Sequence, residues 1–233
     1  MESASNNKGD GYYMIYVTSD IHGRYDRLQK LIKEIDFKDE DTLYILGDMV
    51  DRGKESISVV TYCMKKQNIK VLMGNHEDMM LRAQNGGVEY KNLWFQNGGR
   101  RTYEEFVRLA NDEKQYILRY LTNLPKYFEI DVNGQSYILV HAGINPNDID
   151  KPLSKHDSED LLWIREDFHN EQCYEDKIIV FGHTPTRYLN KDKSMKIWYG
   201  RNKIGIDCGA VFEAYGGKLA CLRLDDMKEF YIF

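Results

Sequence analysis

Apolar and polar positions follow two different rhythms along this chain. Short β-rich runs over residues 12–18, 42–46 and 69–73 each read as a strand. Between the first two, residues 24–35 carry Leu28, Leu31, Ile32 and Ile35 at helical spacing. Residues 56–66 read as a second helix, and a third is expected to start near Glu77. A β-α-β-α-β order predicts a parallel sheet with helices packed on its faces.

Residues 89–124 read as mostly helical, interrupted at Asn97-Gly98-Gly99, where the chain must break or turn. Beyond them the rhythm changes to short strands, expected over residues 127–132, 136–140, 178–181, 196–199, 203–206, 218–224 and 229–233. Asn133-Gly134 between the first pair is a strong hairpin signal. No repeat, linker or low-complexity segment divides the chain. The simplest organisation is a polar, disordered tail over residues 1–11 and one α/β sandwich-like domain over residues 12–233.

Composition changes this picture little. The chain has 233 residues, 42% hydrophobic and 30% charged, with enough apolar material for a sizeable core. A formal charge of −5 argues against a broad basic surface for nucleic acid, but not against a phosphate substrate held by metal ions. No apolar run reaches the roughly 18 residues of a membrane span, and the N-terminus lacks an apolar signal core. Cys63, Cys173, Cys208 and Cys221 are scattered, which fits a reduced, cytoplasmic protein and small buried side chains rather than disulfides.

The candidate chemistry sits where predicted strands end. Asp20-x-His22 follows the first, Gly47-Asp48-x-x-Asp51-Arg52-Gly53 the second and Gly74-Asn75-His76-Glu77 the third. In a parallel sheet such ends lie side by side and form the ligand crevice. His141 and His183 each follow a further β-rich run. Asp, His and Asn supply oxygen and nitrogen donors without a thiolate, a mix suited to manganese, iron or zinc. Any one motif alone is weak; Asn75, for example, could simply cap a helix. Five in order at strand ends make a metal site the better account. His156 and His169 lie in charged stretches and are expected at the surface, and Arg100 and Arg101 as solvated or locally paired.

The set DIHG, GDMVDRG, GNHE, HAG and FGHT resembles the calcineurin-like metallophosphoesterase superfamily, from about residue 14 to the C-terminus. Within it the chain is most similar to the phosphoprotein phosphatase family and its small bacterial and phage members. Symmetrical diadenosine tetraphosphate hydrolases share much of the pattern. The resemblance implies a β-sandwich of mixed sheets flanked by helices and a centre of two divalent metal ions, manganese foremost, with iron or zinc as alternatives. It implies Asp20 and His22 on the first metal, Asp48 bridging both, and Asn75, His141 and His183 on the second. Arg52 and Arg165 would hold phosphate oxygens alongside Asn75, and His76, oriented by Asp51, would protonate the leaving group after attack by a bridging hydroxide. Arg165 rests on the run Leu162-Trp163-Ile164-Arg165-Glu166.

Two substrate classes remain open. Glu77 after the Asn-His pair resembles the Ser/Thr protein phosphatases, since the dinucleotide hydrolases more usually carry Asp there, and this resemblance implies phosphorylated protein or peptide as substrate. His141-Ala142-Gly143-Ile144-x-Pro146 leans toward a dinucleoside polyphosphate hydrolase. A non-catalytic binding protein on the same fold is a third, distant reading.

Overall fold

The computed structural model describes residues 13–233. The expected tail, residues 1–11, lies outside the described residues.

In the N-terminal part, β1 (Ile15–Thr18), α1 (Tyr25–Glu34), β2 (Thr42–Ile45), α2 (Ser56–Met64) and β3 (Ile69–Val71) alternate as the hydrophobic pattern predicts. β1, β2 and β3 pair in parallel, with Val17 opposite Tyr44 and Ile45 opposite Val71. Four helices follow: α3 (Asn75–Asn85), α4 (Val88–Gln96), α5 (Arg100–Val107) and α6 (Asn111–Thr122). The break between α4 and α5 falls at Asn97-Gly98-Gly99, and Gly98 adopts φ +100°, a conformation that favours glycine.

β4 (Tyr127–Val132) and β5 (Gln135–Val140) form the expected hairpin. Its two turn residues, Asn133 (φ 51°) and Gly134 (φ 81°), are both left-handed, as a type I′ turn requires. Next come α7 (Ser158–Trp163), α8 (Glu166–Asn170), β6 (Lys177–Phe181), β7 (Trp198–Gly200), β8 (Lys203–Gly205), β9 (Leu219–Arg223) and β10 (Lys228–Ile232).

The strands form two mixed sheets, ordered β10-β9-β1-β2-β3 and β4-β5-β6-β8-β7. The period-2 alternation of each strand explains how they stack. Val17, Leu139, Val180, Ile204 and Leu222 share one buried cluster that joins the sheets. Their neighbours face outward: Tyr16, Leu43 and Ile45 pack under α1, α2 and the α3–α6 helices. Ile138, Val140, Ile179 and Phe181 pack against Leu161 of α7 and Phe168 of α8. The result is helices, sheet, sheet, helices, an α/β architecture of the kind the resemblance implies. The parallel strands β1, β2, β3, β5, β6 and β8 bring their C-terminal ends to one edge, where both sheets contribute to a single site.

All four cysteines are free and buried. No helix among the described residues is long and apolar enough to cross a membrane.

Candidate metal centre

Each sequence-predicted donor sits just beyond a strand or at the start of a helix. Asp20 and His22 follow β1, Asp48 follows β2, His141 follows β5 directly and His183 follows β6. Asn75 and His76 open α3, two residues earlier than the helix was expected to begin, with Gly74 rather than Asn75 as the N-cap. Loop-to-loop backbone bonds lock these ends together: the His22 N–H donates to the Asp48 carbonyl (2.9 Å) and the Gly182 N–H to the His141 carbonyl (2.8 Å). Asp20, His22, Asp48, Asn75, His141 and His183 are each at most 5% exposed.

The donors converge on the Asp48 carboxylate. His22 Nε2 lies 3.6 Å and His76 Nε2 3.9 Å from Asp48 Oδ2, while His141 Nε2 lies 3.5 Å from Asp48 Oδ1. Two triads share Asp48: His22 with His76, and His141 with His183, each with its donor atoms within 4.8 Å of one another. Asp20 stands beside the first triad, its Oδ1 3.9 Å from His22 Nε2. Its other oxygen is occupied, accepting from the Ser19 hydroxyl (2.5 Å) and the His183 backbone N–H (3.0 Å).

The hydrogen bonds around these groups test whether a cation fits. His22 Nδ1 is 2.9 Å from the Val50 carbonyl and His141 Nδ1 is 2.7 Å from the Leu46 carbonyl. A carbonyl can only accept, so both Nδ1 atoms carry a proton, which turns both Nε2 atoms toward the cluster. His141 Nε2 faces Asn75 Oδ1 at 2.9 Å and Asp48 Oδ1 at 3.5 Å, and Asp48 Oδ1 also accepts the His76 backbone N–H at 3.0 Å. His183 Nε2 is buried without a partner among the described residues. Imidazole nitrogens, an amide oxygen and a carboxylate crowded this closely, with His183 Nε2 left over, are a donor set that a divalent cation would satisfy, so the residues fit the implied metals.

The backbone is held far from its preferred conformations here. Asp20 (φ 51°), His22 (46°), Asp48 (53°), Asp51 (73°), Arg52 (65°) and His183 (62°) are all left-handed. Such residues cost of order 1–3 kcal/mol each and persist where the surroundings over-determine them. One agent of that restraint is Glu77, which is fully buried. Its Oε2 accepts from the Asp48 N–H (2.8 Å) and the Gly74 N–H (2.9 Å). Its Oε1 accepts from the Met49 N–H (2.8 Å) and the Val50 N–H (3.2 Å). One side chain on α3 thus grips the loop that carries Asp48.

Charge interactions follow from this crowding. Burial and the Asp48 charge raise the Asp20 pKa. Asp48 itself is lowered: burial works against this, but His141, His76, His22 and Arg52 outweigh it. Burial, then the positive groups nearby, puts His22 and His183 well below the ordinary imidazole value. His76 moves the other way. Burial opposes its protonation, yet Asp48 and the hydrogen bond to Asp51 raise its pKa.

His76 Nδ1 is 2.7 Å from Asp51 Oδ2, which leaves Nε2 facing the cluster. The Arg52 guanidinium reaches into the same space, 2.7 Å from His22 Nε2 and 2.9 Å from His76 Nε2. Arg165 is the N-cap of α8 and donates to the His183 carbonyl (3.2 Å) and the Thr184 hydroxyl (2.8 Å). Arg52, Arg165 and His183 line a groove of about 670 Å³ that continues along Tyr188 and Phe212. Arg100 and Arg101 are exposed, Arg100 resting 4.8 Å over the Phe95 ring.

Two expectations are corrected. His156 is buried, its Nε2 3.2 Å from the Lys151 carbonyl, because the turn before α7 folds it under the chain. His169 is half-buried and stacks on Phe181 with ring centroids 5.5 Å apart, because α8 packs on the outer face of the second sheet. Asp207, which sequence reasoning passed over, follows β8 and is buried, and burial together with the Asp20 charge pushes its pKa well up. The available signal was its offset: it stands two residues beyond Gly205 as His183 stands two beyond Phe181.

Comparison with known proteins shows the family of the chain and a likeness of fold. The model for calcineurin-like phosphoesterases matches residues 13–220. Serine/threonine-protein phosphatase 1 of Salmonella typhimurium is 30% identical over 90% of this chain and 91% of its own length. The symmetrical bis(5'-nucleosyl)-tetraphosphatase of Paracidovorax citrulli is 27% identical over 79% of this chain, which covers 62% of that longer protein. Among solved structures, a candidate diadenosine tetraphosphatase superposes with a TM-score of 0.67 at 20% identity, covering 94% of this chain and 93% of its own, a likeness of fold. With its family model spanning nearly all described residues, this chain belongs to the calcineurin-like phosphoesterase family.

Proposed function

We propose that the protein is a serine/threonine protein phosphatase-like phosphomonoesterase. The observation that carries this reading is the Asp48 carboxylate, with His22 at one side of it, His141 and His183 at the other, and His76, paired with Asp51, beside it. Asp20 and His22 would hold one divalent cation, Asn75, His141 and His183 a second, and Asp48 would bridge them. The donor set contains no thiolate, which favours manganese, with iron and zinc as alternatives. Bound there, such ions supply neutralisation of the phosphate dianion and acidification of a water.

The chain's own residues do the rest. Arg52 and Arg165 flank the groove and, with Asn75, would hold phosphate oxygens. A guanidinium fork matches that geometry. An alkoxide leaving group needs a proton, and His76 would deliver it from Nε2. Asp51 fixes the tautomer by taking Nδ1–H, and against the burial that opposes it, Asp48 and Asp51 raise the His76 pKa, which favours the protonated ring. General acid catalysis of this kind is worth about 10²- to 10⁴-fold.

A phosphorylated peptide as substrate is supported by the full-length match to a relative named as a serine/threonine phosphatase. The groove beside Arg165 gives the rest of such a substrate room. A dinucleoside polyphosphate hydrolase is the second reading, favoured by relatives of that name. The four free, buried thiols fit a reducing compartment, and we place the protein in the cytoplasm.

The deciding experiment compares a phosphoserine peptide with diadenosine tetraphosphate under manganese. A preference of about tenfold or more for the dinucleotide overturns the phosphatase reading. Absence of p-nitrophenyl phosphate hydrolysis with any divalent metal would revive a non-catalytic role. For Asp48→Asn, loss of both activity and bound metal is expected; full metal occupancy would remove Asp48 from the bridging position.

A further inference from the structure

Asp51 is held from two sides. Its Oδ2 lies 2.7 Å from His76 Nδ1 and accepts the Trp94 indole N–H at 2.8 Å. Its Oδ1 is buried and has no partner among the described residues. Two N–H donors on one oxygen therefore fix how this carboxylate is turned.

The backbone of the same dipeptide is held from the same place. The Asp51 N–H donates to Thr102 Oγ1 (3.0 Å) and to Ser56 Oγ (3.0 Å). The Arg52 N–H donates to the Gly98 carbonyl at 3.2 Å. Trp94, Gly98 and Thr102 all belong to the corner between α4 and α5. Asp51 and Arg52 are both left-handed, so they need such outside support. The corner leaves room for the indole and little else. A Cβ on Gly99 would lie 2.2 Å from Trp94 Nε1, so only glycine lets the ring keep its place. Trp94 is fully buried between Phe95 and Tyr103, 5.8 and 6.3 Å away by ring centroids. Packing alone accounts for a buried ring. It does not account for an N–H directed at the oxygen that orients His76.

We propose that Trp94 is a positioning residue for His76, acting through Asp51, and that the α4–α5 corner sets the alignment of the acid and of Arg52 together. This rests on the reading of His76 as general acid. The corner is remote in sequence from every donor motif, and none of its residues is among the donors of the two triads. Its effect is therefore one of orientation, felt where a proton must be delivered.

The test is Trp94→Phe, which keeps an aromatic ring and removes the N–H, assayed on two esters with the manganese-loaded enzyme. Phenyl phosphate needs its leaving oxygen protonated far more than p-nitrophenyl phosphate does. The expected result is a fall in kcat of about tenfold or more on phenyl phosphate, with KM unchanged and p-nitrophenyl phosphate within about threefold of wild type. An equal fall on both esters, or none on either, overturns the proposal, since a merely structural role does not distinguish leaving groups. His76→Asn runs beside it. If that variant discriminates between the esters and Trp94→Phe does not, the inference about Trp94 fails alone. If His76→Asn falls equally on both, the acid reading fails and takes this one with it. Thr102→Val, which removes the acceptor of the Asp51 N–H, has to show the same discrimination in weaker form and serves if Trp94→Phe does not fold.

Discussion

Glu77→Gln is a small change with a large expected cost. The Glu77 carboxylate accepts four backbone N–H groups, two on each oxygen, and the side chain is fully buried. Four donors on two oxygens leave no place for an amide NH₂. Whichever way the glutamine amide turns, its nitrogen faces two N–H groups that then have no acceptor. An unsatisfied buried donor costs about 1–3 kcal/mol, so two cost about 2–6 kcal/mol, centred near 4. For a domain of this size each kcal/mol shifts Tm by about 2–4 °C, so Glu77→Gln should melt about 8–16 °C lower. Circular dichroism melts in excess EDTA isolate this from metal binding. A shift below about 3 °C would mean that the N–H groups find other acceptors and that Glu77 does not restrain the Asp48 loop.

Three further outcomes follow from the same geometry. In Gly182→Ala the new Cβ would meet Ser19 Oγ at 1.9 Å and Asp20 Oδ2 at 2.3 Å, so Asp20 must move; manganese affinity by calorimetry should fall about 10- to 100-fold, and unchanged affinity would exclude Asp20 from the centre. Metal at 100 times its dissociation constant should stabilise the fold by about 2.7 kcal/mol, so chelation should lower Tm by about 5–11 °C, and an unaltered Tm counts against a buried metal centre. Burial, then Arg165 and Lys203, lowers the His169 pKa from 6.5 to about 4. The unfolded chain therefore takes up a proton there before the folded one does, and stability is lost as pH falls from about 6.5 to about 4, by about 1–3 kcal/mol after allowance for partial exposure. His169→Phe, which can still stack on Phe181, should flatten that part of the stability–pH curve relative to wild type; parallel curves would refute the assignment.

How much of this was legible in the sequence depends on the range of the interaction. Leu28 and Leu31 mark a helix within a few residues, and Asn133-Gly134 specifies its turn locally. The donor motifs were legible because a parallel sheet turns strand order into proximity, which sets Asp20, Asp48 and Asn75 side by side. Glu77 was visible as a letter in a motif, but its grip on Met49 and Val50 depends on where α3 starts, two residues before the expected point. The Trp94–Asp51 contact joins residues with no periodic relation and no shared motif. His156 and His169 misled because their polar neighbours face solvent while the rings turn inward, a choice made by the packing of α7 and α8. Nothing in residues 219–232 says that β9 and β10 complete the first sheet rather than the second.

That last pairing bears on how damaging variants should be interpreted. β9 lies antiparallel to β1, with Cys221 opposite Thr18, and β10 closes the edge beyond it. Every proposed ligand and the acid occur at or before position 183. A premature stop codon just after position 210 would leave that whole inventory encoded, yet strip β1 of one of its two neighbours, two residues from Asp20. A genetic screen would score such a null allele as a lesion in an essential C-terminal residue. The missing element would instead be a scaffold strand, and a C-terminal fragment supplied in trans is the form in which function should be recoverable.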